Sequence, residues 1–179
     1  FIDLSVVGGT GVYTYTWTLD WSEVATTEDI SGLGAGTYTV VVADQNGCSD
    51  TISVEITESD AVVLSETHSD NFGYGVSCNG ATDGFIDLSV VGGTGVYTYT
   101  WTLDGAEVAT TEDISDLGAG TYTVVVADQN GCSDTISVEI TESDAVVLSE
   151  IHSDNLGYGV SCNGSTDGFI DLSVVGGTG

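Results

Sequence analysis

The chain of 179 residues carries 28 Asp or Glu and no Lys or Arg, a formal net charge of −28, with hydrophobic residues at 41%. Gripping a phosphate backbone or an anionic lipid head needs Lys or Arg, so nucleic-acid and anionic-membrane binding are excluded. The hydrophobic content, rich in Val, Ile, Tyr and Thr, argues against disorder, and no apolar run approaches the ~18–20 residues of a membrane span.

One phrase organises the rest. "FIDLSVVGGTG" stands at Phe1–Gly11, Phe85–Gly95 and Phe169–Gly179, a period of 84 residues. Laying 1–95 over 85–179 leaves six differences: Trp21/Gly105, Ser22/Ala106, Gly32/Asp116, Thr67/Ile151, Phe72/Leu156 and Ala81/Ser165. The period is too long for a solenoid repeat and fits one small domain per repeat. The expectation is therefore beads on a string, with the ends falling inside a strand-like segment as if a window had been cut from a longer array.

Within one period the elements are short strands. "SDNFGYG" (69–75) is polar and Gly-rich, a loop. In "FIDLSVV" (85–91) Ile86, Leu88 and Val90 share one face. "YTYTWTL" (97–103) points Tyr97, Tyr99, Trp101 and Leu103 inward and its Thr residues outward. "TYTVVVA" (121–127) does so with Tyr122, Val124 and Val126, and "TISVEI" (135–140) with Ile136, Val138 and Ile140. Period-two alternation of β-branched and aromatic residues marks half-buried strands. "GGTG" (92–95), "LDG" (103–105), "GAG" (118–120) and "DQNG" (128–131) are turns, the last with the Asn-Gly of a hairpin. "AVVLSEIH" (145–152) is a further strand leading into the next unit. Six or seven strands in about 80 residues predict an all-β fold, tandem immunoglobulin-like β-sandwich repeats. Tyr122, just after Gly120, is either a tyrosine corner or an ordinary core aromatic. The predicted divisions are a partial unit at 1–58 holding the later strands of a sandwich, a complete unit at 61–142, and the start of a third at 145–179.

The runs "VSCNGATDGFIDLSVVGGTGVYTYTWTLDG" (76–105) and "LGAGTYTVVVADQNGCSDTISVEI" (117–140) resemble the SprB-repeat family. The shared pattern is Cys-Asn-Gly, Asp-Gly, Gly-Gly-Thr-Gly, Tyr-x-Tyr-x-Trp, Gly-Thr-Tyr-Thr-Val and Asp-x-x-Gly-Cys. The closing half is also similar to polycystic-kidney-disease-type domains. The spacer 143–160 departs from the family in lacking Pro. The resemblance implies a secreted, extracellular repeat stalk or adhesin on the cell surface, exported by type IX secretion and acting in attachment or gliding.

Four cysteines, Cys48, Cys78, Cys132 and Cys162, alternate at separations of 30 and 54. Two pairings stand open: Cys78–Cys132 inside a unit, leaving Cys48 and Cys162 to partners outside the window, or Cys48–Cys78 with Cys132–Cys162 between units. The resemblance favours the first, because family units carry both cysteines together. A simple immunoglobulin-like sketch opposes it, since Cys132 falls at a hairpin tip and Cys78 near the opposite end. A loop of that length contributes about 4 kcal/mol in the chain-entropy model, and either pairing implies an oxidising compartment.

Glu66, His68 and Asp70 alternate, as do Glu150, His152 and Asp154, so each trio would share a strand face as a candidate metal site. "DQNGCSD" (128–134) has the outline of a calcium loop but lacks the acidic third ligand and the distal Glu. No dedicated cofactor is expected, with loosely bound calcium as a counter-charge. Thr51 and Thr135, each in Asp-Thr-Ile, resemble O-glycosylation acceptors, and Asn163-Gly-Ser is a formal N-linked sequon. No catalytic constellation is present: "GGTG" opens no helix, and the two His lie in a polar linker, so no enzyme is expected.

Two functions of different class follow. The first is a structural module whose partners are neighbouring units, or copies of itself in a filament. The second is a ligand-binding module for surface polysaccharide or calcium. Trp21, replaced by Gly105 in the next unit, is not a repeated aromatic platform, which weighs against the second.

Overall fold

The Thr-x-Thr alternation around Trp101 builds an inner strand of a four-stranded sheet. The structure is a computed structural model and describes residues 1–177; Thr178 and Gly179, the end of the third "FIDLSVVGGTG", lie outside the described residues. The chain divides into two compact units, Phe1–Ser59 and Asp60–Gly179. Every strand pairing is antiparallel.

In the first unit β1 (Thr14–Leu19), β2 (Ser22–Ala25), β3 (Gly36–Ala43) and β4 (Ser49–Ile56) form one sheet in the order β2-β1-β3-β4. In the second unit β5 (Val63–His68), β6 (Gly84–Val91), β7 (Thr98–Leu103), β8 (Ala106–Ala109), β9 (Ile114–Leu117), β10 (Gly120–Ala127) and β11 (Ser133–Ile140) form two sheets. Their orders are β11-β10-β7-β8 and β5-β6-β9. A four-stranded and a three-stranded sheet in this order are the immunoglobulin-like sandwich. β12 (Val147–His152) and β13 (Ile170–Val175) close the chain as a two-stranded ladder.

The inward residues of both sheets make one core: Ile86, Leu88, Trp101, Ile114, Leu117, Tyr122, Val124, Val126, Val138 and Ile140. Trp101 is fully buried, and its indole Nε1 donates to the Thr111 carbonyl at 2.9 Å, so the one polar atom it takes inside is satisfied. Tyr122 donates its hydroxyl to the Gly118 carbonyl, four residues upstream, at 3.2 Å. That is a tyrosine corner at the start of β10. Val76, fully buried, enters the same core from the loop between β5 and β6. It lies one residue beyond the polar, Gly-rich stretch 69–75.

Turn chemistry matches the alternation. Asp104 and Gly105 both have positive φ (51° and 80°), the two-residue primed turn that suits the twist of a hairpin, here joining β7 and β8. In the first unit Trp21 holds the glycine's place at φ 69°, a left-handed conformation that costs a side-chain-bearing residue roughly 1–2 kcal/mol, and its side chain is fully exposed. "DQNG" makes a longer turn than a two-residue hairpin: the Asp128 amide donates to the Cys132 carbonyl at 2.9 Å, and Gly131 takes φ 85°. Gly92 has no room for a side chain, because a Cβ there would lie 1.9 Å from the Ala61 carbonyl oxygen.

Trp101→Ala removes the largest buried side chain and strands the Thr111 carbonyl. The expected cost is about 3–5 kcal/mol, read as a lower urea midpoint by far-ultraviolet circular dichroism. A loss under about 1 kcal/mol would mean the two sheets do not close on this residue.

Candidate functional site

The chain's polar chemistry lies at the two ends of the sandwich. At one end the β10–β11 turn is organised by Asp128, one of few buried polar residues. Its Oδ1 accepts the amides of Asn130 (2.9 Å) and Cys132 (2.8 Å). Its Oδ2 accepts the amide of Thr94 (2.9 Å) and the Thr94 hydroxyl (3.1 Å), which ties this turn to the "GGTG" turn. Asn130 Nδ2 donates to the Thr94 hydroxyl at 2.8 Å. Asp44, Thr10 and Asn46 repeat the arrangement in the first unit. Four donors occupy both carboxylate oxygens, so Asp128 is a turn lock and not a cation ligand. The calcium-loop outline of 128–134 is accounted for by that lock.

Desolvation in the turn pushes the Asp128 carboxyl upward. The amides of Thr94 and Cys132, the Thr94 hydroxyl and the Asn130 amide outweigh it and hold the group below the ordinary carboxylate value. A depressed carboxyl contributes stability that is present above its unfolded pKa and lost as pH falls through the folded one.

At the other end lies the loop 69–83, the cysteine-bearing loop that follows β5. Its Val76 amide donates to the Thr141 carbonyl (3.1 Å), and Asn79 Nδ2 donates to the Ser143 carbonyl (2.9 Å), seating the loop beyond the end of β11. Cys78 therefore sits past the C-terminal end of β11, while Cys132 immediately precedes its N-terminal end. The eight residues of β11 hold them roughly 25 Å apart, against the ~7 Å limit between the Cα atoms of a disulfide. The Cys78–Cys132 bond that the family resemblance favours is not formed; the placement is that of the immunoglobulin-like sketch, with Cys132 at a hairpin tip. Cys48, Cys78, Cys132 and Cys162 are all free and exposed. Hydrogen bonds from the Ser165 and Ser161 hydroxyls draw the Cys162 thiol below its usual value.

The two carboxylate–histidine trios do not assemble. His68 Nδ1 and Glu66 Oε2 pair at 2.9 Å, as do His152 and Glu150. Asp70 lies beyond the end of β5, where the alternation that would align it has stopped. Its Oδ1 instead accepts the Gly73 amide at 2.6 Å, and Asp154 is turned to Gly157 in the same way. Among the described residues no three His, Cys, Asp or Glu converge as a metal group. The hydrogen bond and charge of Glu150 raise the His152 pKa, so this exposed pair is charged on the acid side of neutrality and fades as pH rises.

Thr51 and Thr135 are exposed on β4 and β11, each an edge strand of its sheet, with their amides donating to Asp50 and Asp134 at 2.8 Å. Asn163 is exposed. The outer face of the four-stranded sheet aligns Thr102, Thr123 and Ser137 across three strands, with the last two hydroxyls 2.8 Å apart. Glu107 on β8, opposite Thr102, and Glu139 on β11, opposite Thr121, bring carboxylates to the margins of this otherwise Thr- and Ser-rich face.

The family model of the SprB repeat matches residues 76–105, which run from the buried Val76 through β6 and β7 to the turn glycine. No curated protein matches the chain. Among solved structures, the three N-terminal domains of the Highly Immunogenic Outer Capsid protein (Hoc) of bacteriophage RB49 share 20% identity at a TM-score of 0.46. That match covers 98% of this chain and 63% of the other, so the chain spans less than two thirds of that fragment. The IgVJ-C2 molecule of amphioxus shares 17% identity at a TM-score of 0.36, over 78% of this chain and 94% of that one.

Asp128→Asn keeps the size of the side chain but places an amide where two N–H groups already point. The melting temperature at neutral pH should fall by several degrees. The loss of stability between about pH 5 and pH 2 should become shallower than in the unaltered chain. An identical pH profile for both proteins would show that Asp128 does not lock the turn.

Proposed function

We propose that the chain is a structural repeat segment of a large extracellular cell-surface adhesin or filament, serving attachment or gliding. The observation that carries this reading is the SprB repeat at 76–105, seated in an acidic all-β sandwich. SprB repeats occur in extracellular surface proteins, and the sandwich gives each repeat the qualities a stalk needs: a closed core, hydrogen-bonded turns at both ends and a polar outer face. The bead of this stalk is 61–142, flanked by the later strands of one bead at 1–58 and the opening strands of another at 145–179. Export by type IX secretion follows from the same family relationship. The absence of Lys and Arg suits this role, because a surface polyanion stays soluble and resists collapse onto neighbours of its own kind. The reading is non-enzymatic: the hydrogen-bonded carboxylate of Asp128 and the Glu–His pairs serve turns and strand ends.

Antibodies raised against the 179-residue chain should label intact cells of the organism that makes it. Brief protease treatment of those cells should remove the label. Labelling that requires lysis, or that survives protease, would contradict a surface role.

A further inference from the structure

Of the six positions at which the repeats differ, one changes the surface far more than the others: Trp21 stands where the second unit has Gly105. The β1–β2 turn holds Asp20 and Trp21 at φ 48° and 69°, and the β7–β8 turn holds Asp104 and Gly105 at 51° and 80°. The backbone is the same in both, and it is one that suits glycine. Trp21 bears the left-handed strain and gains no packing in return, because its side chain is 100% exposed. Nor does the rest of a sandwich cover this turn. In the second unit, where both sheets are present, a Cβ at Gly105 meets nothing within 4 Å, and Asp104, Ala106 and Glu107 are all exposed. An indole held at a cost to the fold and left in water points to a role outside the fold.

The charge around the ring names what fits it. Asp20, immediately before Trp21, is exposed, and so is Glu23 on β2, opposite Thr18. The chain has no Lys or Arg of its own to pair with these carboxylates. A ring face with carboxylates on either side suits a planar cation. A guanidinium lies over the indole by cation–π attraction and turns its N–H fork to a carboxylate. The same carboxylates repel a polyanion. An uncharged sugar would stack on the ring but draw nothing from the charge.

We propose that Trp21, flanked by Asp20 and Glu23, is the docking point for an arginine-bearing face of a partner protein. The point is carried by the first unit and absent from the second, so two nearly identical units are made unequal by one side chain. The proposal does not rest on the surface-attachment reading.

The test uses the 179-residue chain and a labelled peptide of alternating Arg and Gly, followed by fluorescence anisotropy at physiological salt. Trp21→Gly and Gly105→Trp alter no charge, so any change they cause comes from the ring. Trp21→Gly should weaken binding about three- to fivefold, the worth of a cation–π contact at an exposed site. It should not lower the melting temperature, since Gly105 already fills that turn in the second unit. Gly105→Trp should strengthen binding by providing a second point. Glu23→Gln should weaken binding more than Glu107→Gln, which removes the same charge from the equivalent place beside no ring. An affinity untouched by Trp21→Gly, equal losses for the two Glu→Gln variants, or a Trp21-dependent response to neutral dextran in place of the peptide would overturn the proposal.

Discussion

A sheet that is apolar on one face has to be covered, and here the cover for each four-stranded sheet comes from the residues that precede it. Trp101 shows the constraint most plainly. It reaches the middle of the sandwich from β7, is sealed from above by Ile86 and Leu88 on β6, and bonds its indole to Thr111 on the way to β9. The rest follows from closing over it. The tyrosine corner of Tyr122 fixes where β10 starts, and Asp128 locks the turn where it ends. The same residues at Trp17, Tyr38 and Asp44 repeat these bonds in the first unit.

Alternation made the fold legible. β6, β7, β10 and β11 each obey period two, and the aromatic and β-branched residues named as inward are the ones that pack. β8 and β9 escaped notice because four residues hold too little pattern to separate from a turn. Val76 escaped because it packs from an irregular loop, where no period exists. Among the site readings, the carboxylate–histidine trios failed for one reason: alternation orders side chains only while the strand lasts, and Asp70 lies two residues past His68 at the end of β5. The Asp128 lock was readable in principle, since Asp followed by Asn two residues on and Gly three on is the signature of a side chain capping its own turn. The cysteines show a limit of family likeness. Two residues that occur together in every unit need not lie together in space, and topology placed them at opposite ends of β11.

Function was legible at the level of class. The absence of Lys and Arg removes the usual anion-binding chemistries, near-identical repeats argue for a role played many times over, and residues 76–105 match the SprB repeat model. Partner and ligand leave no such mark on the outer face, which offers Thr and Ser in rows and not a cluster of converging groups.

The central claim is the proposed frame of the bead: a closed sandwich over 61–142, built across the sequence period and not in step with "FIDLSVVGGTG". Limited proteolysis with an Asp/Glu-specific protease, read by intact mass, tests it directly. With carboxylates throughout the sequence, resistance reports packing and not a lack of cutting sites. The account predicts early cuts at Glu58 and Asp60 and between Asp144 and Glu150, leaving a persistent fragment that spans 61–142. A persistent fragment spanning 85–168, or early cleavage at Asp87 within β6, would contradict it.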